Sequence, residues 1–296
     1  MGPSTHGCAS MSDGMAWAGL RRKPLGLLGA VLLLAMIALA LLAYRVAPYD
    51  YDEVDIFSRL KPSSATHWLG TDNLGRDLLS RVIHGARVSM AVGFGGVALG
   101  LLGAMAVGLV SGYFGGRLDM AVQRFVDAFM CFPLLLVALT IMALLGPGLA
   151  NVILTLGLVL GVRDSRVIRS AVLSVKEHPY VEAARGLGAA HWGVILRHIL
   201  PNIFAPIIIL ATVNIGAVIL IEAALSFLGF GVPPPRPSWG GMLSGAGLVH
   251  MLRAPWLALW PGVALSLAVF GANMLGDALR DVLDPRLRGS GARMRG

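Results

Sequence analysis

The chain has 296 residues, of which 56% are hydrophobic and 14% charged, with a net charge of +8. Soluble domains carry roughly 25% charged residues, so this composition excludes an ordinary soluble fold and points to a membrane. The aromatic-plus-basic platforms that read nucleic acid are absent, so the positive charge is read as a topology signal.

Residues 1–24 form a polar tail containing Gly and Ser, expected to be disordered and cytoplasmic. A membrane helix needs about 20 predominantly apolar residues. Six stretches approach that length: 25–45, 88–112, 126–146, 148–163, 203–228 and 256–278. The first is too long for a signal-peptide core and lacks a clear cleavage site, so it is read as a retained helix. The fourth is the shortest, and the "LGPG" before it predicts a tight hairpin with the third. With the N-terminus inside, the inner segments hold sixteen of the 24 Lys and Arg residues. The six outer basic residues from Arg45 to Arg87 are matched by six acids from Asp50 to Asp77. Both termini are therefore predicted inside. This makes 46–87 extracytoplasmic, 88–280 a membrane core with a cytoplasmic loop at 164–202, and 281–296 a second cytoplasmic tail.

Gly70–Arg87 places Leu74, Leu78, Leu79, Val82 and Ile83 among charges and reads as an amphipathic helix on the outer surface. A landing pad for an extracytoplasmic binding protein and a cover over the pore mouth both fit it. Gly93, Gly96, Gly100 and Gly103 share one face of the second span, where small residues let helices approach closely. Arg124 and Asp127, three apart, predict a local ion pair. Glu222 lies inside the fifth apolar run, where a carboxylate is costly. It reads either as a bundle-facing group hydrogen-bonded to a neighbouring helix or as part of a translocation path, with Asn214 a second candidate for that path. Asn273, Asp277 and Asp281 repeat every four residues and predict an ion-paired cytoplasmic cap with Arg280 and Arg286. The prolines at 233–235 and 237 stiffen an outer loop, with Trp239 either an interface anchor or a core residue.

Chemistry-bearing motifs are scarce. Cys8 and Cys131 form no metal pattern. The sequence has no G-x-x-x-x-G-K-[ST], H-E-x-x-H or G-x-S-x-G. No catalytic, cofactor or metal site is predicted, so the chain by itself reads as no enzyme. Energy must come from a partner or an ion gradient.

The stretch His178–Asn202 stands out between apolar runs. Pro179 suits the first turn of a helix, and Glu182 suits its positive end. Val181, Ala184 and Gly188 share a face, and Gly186 and Gly188 are expected to break or bend the helix. Trp192, Ile195, Leu196 and Ile199 then form an amphipathic stripe, and Pro201 ends the regularity. A short helix, a glycine turn and a helix lying along the membrane together predict a lever.

"EAARGLG" followed by "HILPN" resembles the EAA loop of bacterial ABC-importer permeases. Glu182, Ala183, Ala184 and Gly188 match its core, and Ile199 and Pro201 its tail. Gly70–Ser89, Glu222–Leu243 and Gly276–Leu287 are similar to the C-type permease subunit of dipeptide and oligopeptide importers. The resemblance implies an all-α polytopic membrane protein with the ABC type I importer permease fold, multi-pass in the bacterial inner membrane. It implies an ATPase-coupling loop using Glu182, Ala183, Ala184, Gly186, Gly188 and Pro201. It further implies a homologous permease as heterodimer partner, two ABC ATPases that hold the ATP and Mg, and an extracytoplasmic solute-binding protein. Membrane lipid is the remaining partner, and no cofactor binds this chain. Import of nickel or another small solute by the same family is the alternative. A secondary transporter coupled to an ion gradient is the rival from another class. It would show several embedded acids and internal repeats, whereas only Glu222 lies deep.

Overall fold

In the computed structural model, which describes residues 23–283, regular structure is helical apart from one isolated bridge between Thr71 and Asp77. Of the tails expected at 1–24 and 281–296, residues 1–22 and 284–296, with Cys8 and Arg286, lie outside the described residues. In order come α1 (Pro24–Leu41), α2 (Ala43–Val46), α3 (Leu78–Phe114), α4 (Gly116–Met130), α5 (Leu134–Leu145) and α6 (Leu149–Lys176). They are followed by α7 (Pro179–Gly186), α8 (His191–Val194), α9 (Phe204–Phe227), α10 (Trp239–Leu243), α11 (Ala246–Val249) and α12 (Trp256–Leu283).

Four helical runs are long and apolar enough to cross a membrane: α1, α3, the run His191–Phe227, and α12. The α4–α5 pair makes a fifth crossing if it counts as one broken span. The uncharged first half of α6 supplies a sixth segment, so the chain has about six. Lys23, just before α1, pairs with Asp281 in the last turn of α12. The two ends of the bundle therefore lie on one side, and among the described residues Asp281 pairs with Lys23, while Arg286 of the expected cap lies outside them.

The structure corrects four expectations. The span expected at 126–146 is not straight, because α4 and α5 meet at 92°. Pro133 lacks a donor and disfavours helical backbone at Phe132, so the helix cannot run through. The Arg124–Asp127 pair is replaced by cross-helix pairs. Asp127 bonds Arg166, and Asp119 takes both Nε and an amino group of Arg169 at 2.6 and 2.5 Å. Those two arginines sit three apart on α6, on the face turned to α4. The loop expected from 164 begins later, since α6 continues unbroken to Lys176. Lastly, residues 70–77 form a turn and not a helix. Asp72 Oδ1 accepts the Leu74 and Arg76 N–H groups at 2.8 and 3.0 Å, and Gly75 adopts φ +78°. Asp77 then caps α3 by accepting the Ser80 N–H at 2.8 Å.

The glycine face works as packing. A Cβ on Gly100 would lie 2.8 Å from Leu160 Cβ of α6, and one on Gly93 would lie 2.9 Å from Ile219 of α9. Gly108 extends the row, with a Cβ position 2.7 Å from the Ser165 carbonyl. α1 docks on α12 in the same manner, since a Cβ on Gly29 would lie 2.7 Å from the Leu275 amide nitrogen. Trp239 is a core residue, fully buried, and its Nε1 donates to the Val82 carbonyl at 3.0 Å. A larger core fills the outer and middle bundle. A smaller one at the other end joins Tyr113, Ile168, Val172, Val181, Ile195, Ile199 and Ile203.

Candidate functional site

The smaller core is the foundation of the stretch singled out by sequence. After Lys176 the backbone at His178 becomes extended, and Pro179 opens α7 at its first position. Val181 is fully buried in the smaller core and pins α7 against α6 and the run after it. Glu182 occupies the first turn and is exposed, where the helix start favours its charge.

The two glycines differ. Gly186 is the last residue of α7, whereas Gly188 is left-handed at φ +81°. The Gly188 N–H donates to the Arg185 carbonyl at 2.9 Å, and the Ala189 N–H donates to the Ala184 carbonyl at 3.1 Å. This paired closure is the Schellman arrangement, which favours glycine at its left-handed position. Only Gly188 therefore breaks the helix, against the expectation that both do. Between them Leu187 is 88% exposed. Glu182, Ala183, Gly186, Gly188, Ala189 and Ala190 are exposed around it, and Ala184 is half-buried. Sequence reading passed over Leu187, although an apolar residue squeezed between two glycines at a helix end was a usable signal.

The amphipathic stripe is only half as expected. Ile195 and Ile199 are buried, but Trp192 and Leu196 are more than half exposed. Residues 195–199 form a π-turn, with the Leu200 N–H bonded to the Ile195 carbonyl. That extra residue rotates the buried face onto Val194, Ile195, Ile199 and Ile203. Pro201 follows in a 3-10 turn that leads into α9. His191–Phe227 is thus one continuous run, not a separate helix ended by Pro201.

Tyr113, near the end of α3, ties this run together. Its buried hydroxyl bonds His191 Nδ1 at 2.9 Å, its carbonyl accepts from Lys176 Nζ at 2.6 Å, and the Arg185 guanidinium sits 4.7 Å from the ring centroid. Burial, and then the Arg185 charge, hold Lys176 below the ordinary lysine range. Asp119 is held below the usual carboxylate range, chiefly by its Arg169 hydrogen bond.

Asn214 and Glu222, both on α9, are not brought together. Asn214 Nδ2 donates to Asp164 Oδ2 at 2.5 Å, and its oxygen accepts from Arg163 at 2.9 Å. Arg163 Nε also bonds Asp164 at 2.9 Å, which closes a triad between α6 and α9. The sequence reading gave neither Arg163 nor Asp164 a role beside Asn214. Glu222 is fully buried and accepts from Ser89 of α3 at 3.2 Å and from Ser226 at 2.7 Å, while Ser238 donates to Ser226. Among the described residues, no group of three His, Cys, Asp or Glu converges as metal ligands would.

Comparison with known proteins agrees with this geometry. Residues 104–289 match the family described as binding-protein-dependent transport system inner membrane component. Residues 14–62 match the N-terminal TM domain of oligopeptide transport permease C. The chain is 40% identical over 273 residues to the dipeptide transport system permease protein DppC of Alkalihalophilus pseudofirmus, covering 92% of this chain and 90% of that protein. It is 39% identical over 274 residues to the glutathione transport system permease protein GsiD of Pectobacterium atrosepticum, with the same coverage of each.

Proposed function

We propose, from the premise that this chain belongs to the family of binding-protein-dependent transport system inner membrane components, that its solutes are di- or oligopeptides. The chain is a permease subunit of an ABC importer and a multi-pass protein of the bacterial inner membrane. The peptide assignment is supported by the relatives, whose names describe dipeptide and glutathione transport.

In this reading the chain forms half of a translocation path with a homologous permease. An extracytoplasmic binding protein delivers solute on one side, and two ATPases bind on the other. ATP and Mg belong to those ATPases, since this chain offers no phosphate-cradling loop. The observation that carries the coupling role is the α7 tip, where exposed Leu187 stands on a short helix whose opposite side is locked by buried Val181. Exposed apolar groups beside small residues suit insertion into a cleft of a partner. Glu182, Ala183, Ala184, Gly186 and Gly188 shape that tip, while Pro201 acts further along, where the run turns into α9. Movement of the docked tip passes through Tyr113 to α3 and through the π-turn to α9. Asn214, held by the partly exposed Arg163, is assigned to the path, and Glu222, sealed among serines, to holding the bundle together.

Co-purification from membranes tests this directly. The wild-type chain should bring down the second permease and stoichiometric ATPases. Leu187→Asp should lose the ATPases and keep the second permease. Active transport by the single purified chain would refute the importer reading.

A further inference from the structure

On the side of the bundle opposite the α7 tip, the chain encloses a cavity of about 380 Å3. Small-molecule sites commonly span roughly 300–1,000 Å3. Its wall brings together Asp72, Asn73 and Arg76 from the turn before α3, Arg81 from the first turn of α3, and Arg236 from the proline loop. Three arginines and a single carboxylate thus line one cavity.

That carboxylate is already occupied. Asp72 accepts two backbone N–H groups and the Arg76 Nε at 2.7 Å, and Arg81 Nε lies 3.5 Å away. Arg81 gives one further N–H to the Tyr51 carbonyl at 3.0 Å. Among the described residues, the terminal amino groups of Arg76 and all of the exposed Arg236 guanidinium have no hydrogen-bond or ion-pair partner. In the same wall the Asn73 side-chain oxygen is buried and has no partner. Like charges gathered with donors to spare, beside an orphan acceptor, are complementary to an anion that also carries an N–H.

The framework around the cavity is fixed. His67 Nδ1 bonds Asp77 at 2.9 Å, Trp256 Nε1 donates to the Thr71 carbonyl at 3.2 Å, and Ser238 accepts the Gly241 N–H at 3.1 Å. Prolines on both sides of Arg236 restrict its backbone.

We propose that this cavity binds a carboxylate, taken up by Arg76, Arg81 and Arg236, while the Asn73 oxygen accepts an N–H from the same ligand. The end of a peptide has that chemistry, with its carboxylate adjoining an amide N–H, and so does an acidic side chain presented by a docked binding protein. The site rests on geometry alone, whereas its place at the outer mouth of an importer rests on the proposed function.

The test uses the full chain in lipid nanodiscs and follows its melting midpoint against N-acetyl-alanyl-alanine or its C-terminal amide. The acid should raise the midpoint saturably, and the amide should not. Arg236→Gln, at a side chain bonded to nothing else in the described fold, should weaken the acid's apparent affinity about tenfold, as loss of one charge-assisted hydrogen bond predicts. Equal responses to acid and amide, or undiminished binding by Arg236→Gln, would overturn the site. Uptake by the assembled importer then separates the sources. A raised KM for Ala-Ala with unchanged binding-protein docking assigns the carboxylate to the solute, and weakened docking assigns it to the partner. Acid-selective binding in a wild-type assembly that transports nothing would leave the site standing and sink the importer reading.

Discussion

Gly186 and Gly188 stand two residues apart at the exposed tip, and a Cβ added to either meets no atom within 4 Å. Crowding therefore treats both alike, and the backbone does not. Gly188 sits at φ +81°, while Gly186 ends α7 in helical backbone. An L-residue in the left-handed region costs roughly 1–2 kcal/mol. Replacing a helical glycine by alanine gains about 0.5–1 kcal/mol. Gly188→Ala should thus lower the closed-to-open ratio of the turn by a factor of about 5–30. Gly186→Ala should leave it unchanged or slightly favoured, and Gly188→Asn should fall between them because asparagine tolerates this conformation. The assay is ATP hydrolysis stimulated by loaded binding protein, measured in the assembled importer with ATPase subunits limiting. Gly188→Ala should lose up to roughly 30-fold of the stimulated rate, with Gly186→Ala close to wild type. Equal losses at the two glycines, or wild-type coupling in Gly188→Ala, would refute the left-handed turn as the element that shapes the tip.

Tyr113→Phe keeps the ring under Arg185 and removes the hydroxyl that bonds His191. It should lower stability by about 0.5–1.5 kcal/mol in thermal melts, and stimulated ATP hydrolysis should fall with no loss of ATPase co-purification. Asn214→Leu strands the remaining members of the Asp164 triad and should cost about 1–3 kcal/mol in denaturant unfolding, with Asn214→Gln costing less. Because Arg169 holds Asp119 below its unfolded value, that carboxylate adds stability above the ordinary carboxylate range. The contribution disappears as pH falls from that range through the folded value. Asp119→Asn should flatten this acid limb in melts recorded against pH, and an unchanged limb would remove the pair from the account.

The membrane segments were legible because hydropathy is a local property, summed over residues that are neighbours in the chain. The loop was legible for a related reason, since Pro179 and Gly188 dictate backbone geometry where they stand. The bend between α4 and α5 escaped an apolar count, because Pro133 acts through a missing donor and not through polarity. Partnerships across the fold escaped as well. Asp127 finds Arg166, Tyr113 finds His191, and Asn214 finds Asp164 only after helices distant in sequence have packed. The π-turn at 195–199 was hidden because periodic reading assumes one pitch throughout. Its extra residue splits the expected stripe, leaving Trp192 and Leu196 exposed while Ile195 and Ile199 are buried.

The hairpin of α5 and the uncharged start of α6 has a consequence for the surrounding lipid. The twelve residues of α5 span about 18 Å at ~1.5 Å per residue, whereas α6 runs on past Arg163, which lies level with Asn214 in the middle of α9. α5 alone falls short of a hydrocarbon layer of about 30 Å. Mismatch costs fractions of a kcal/mol per ångström, so a deficit of roughly 10 Å reaches a few kcal/mol unless the bilayer thins or another subunit shields the hairpin. Acyl-chain length should therefore bias assembly, with short-chain lipids accommodating the solitary chain and long-chain lipids driving it against its permease partner.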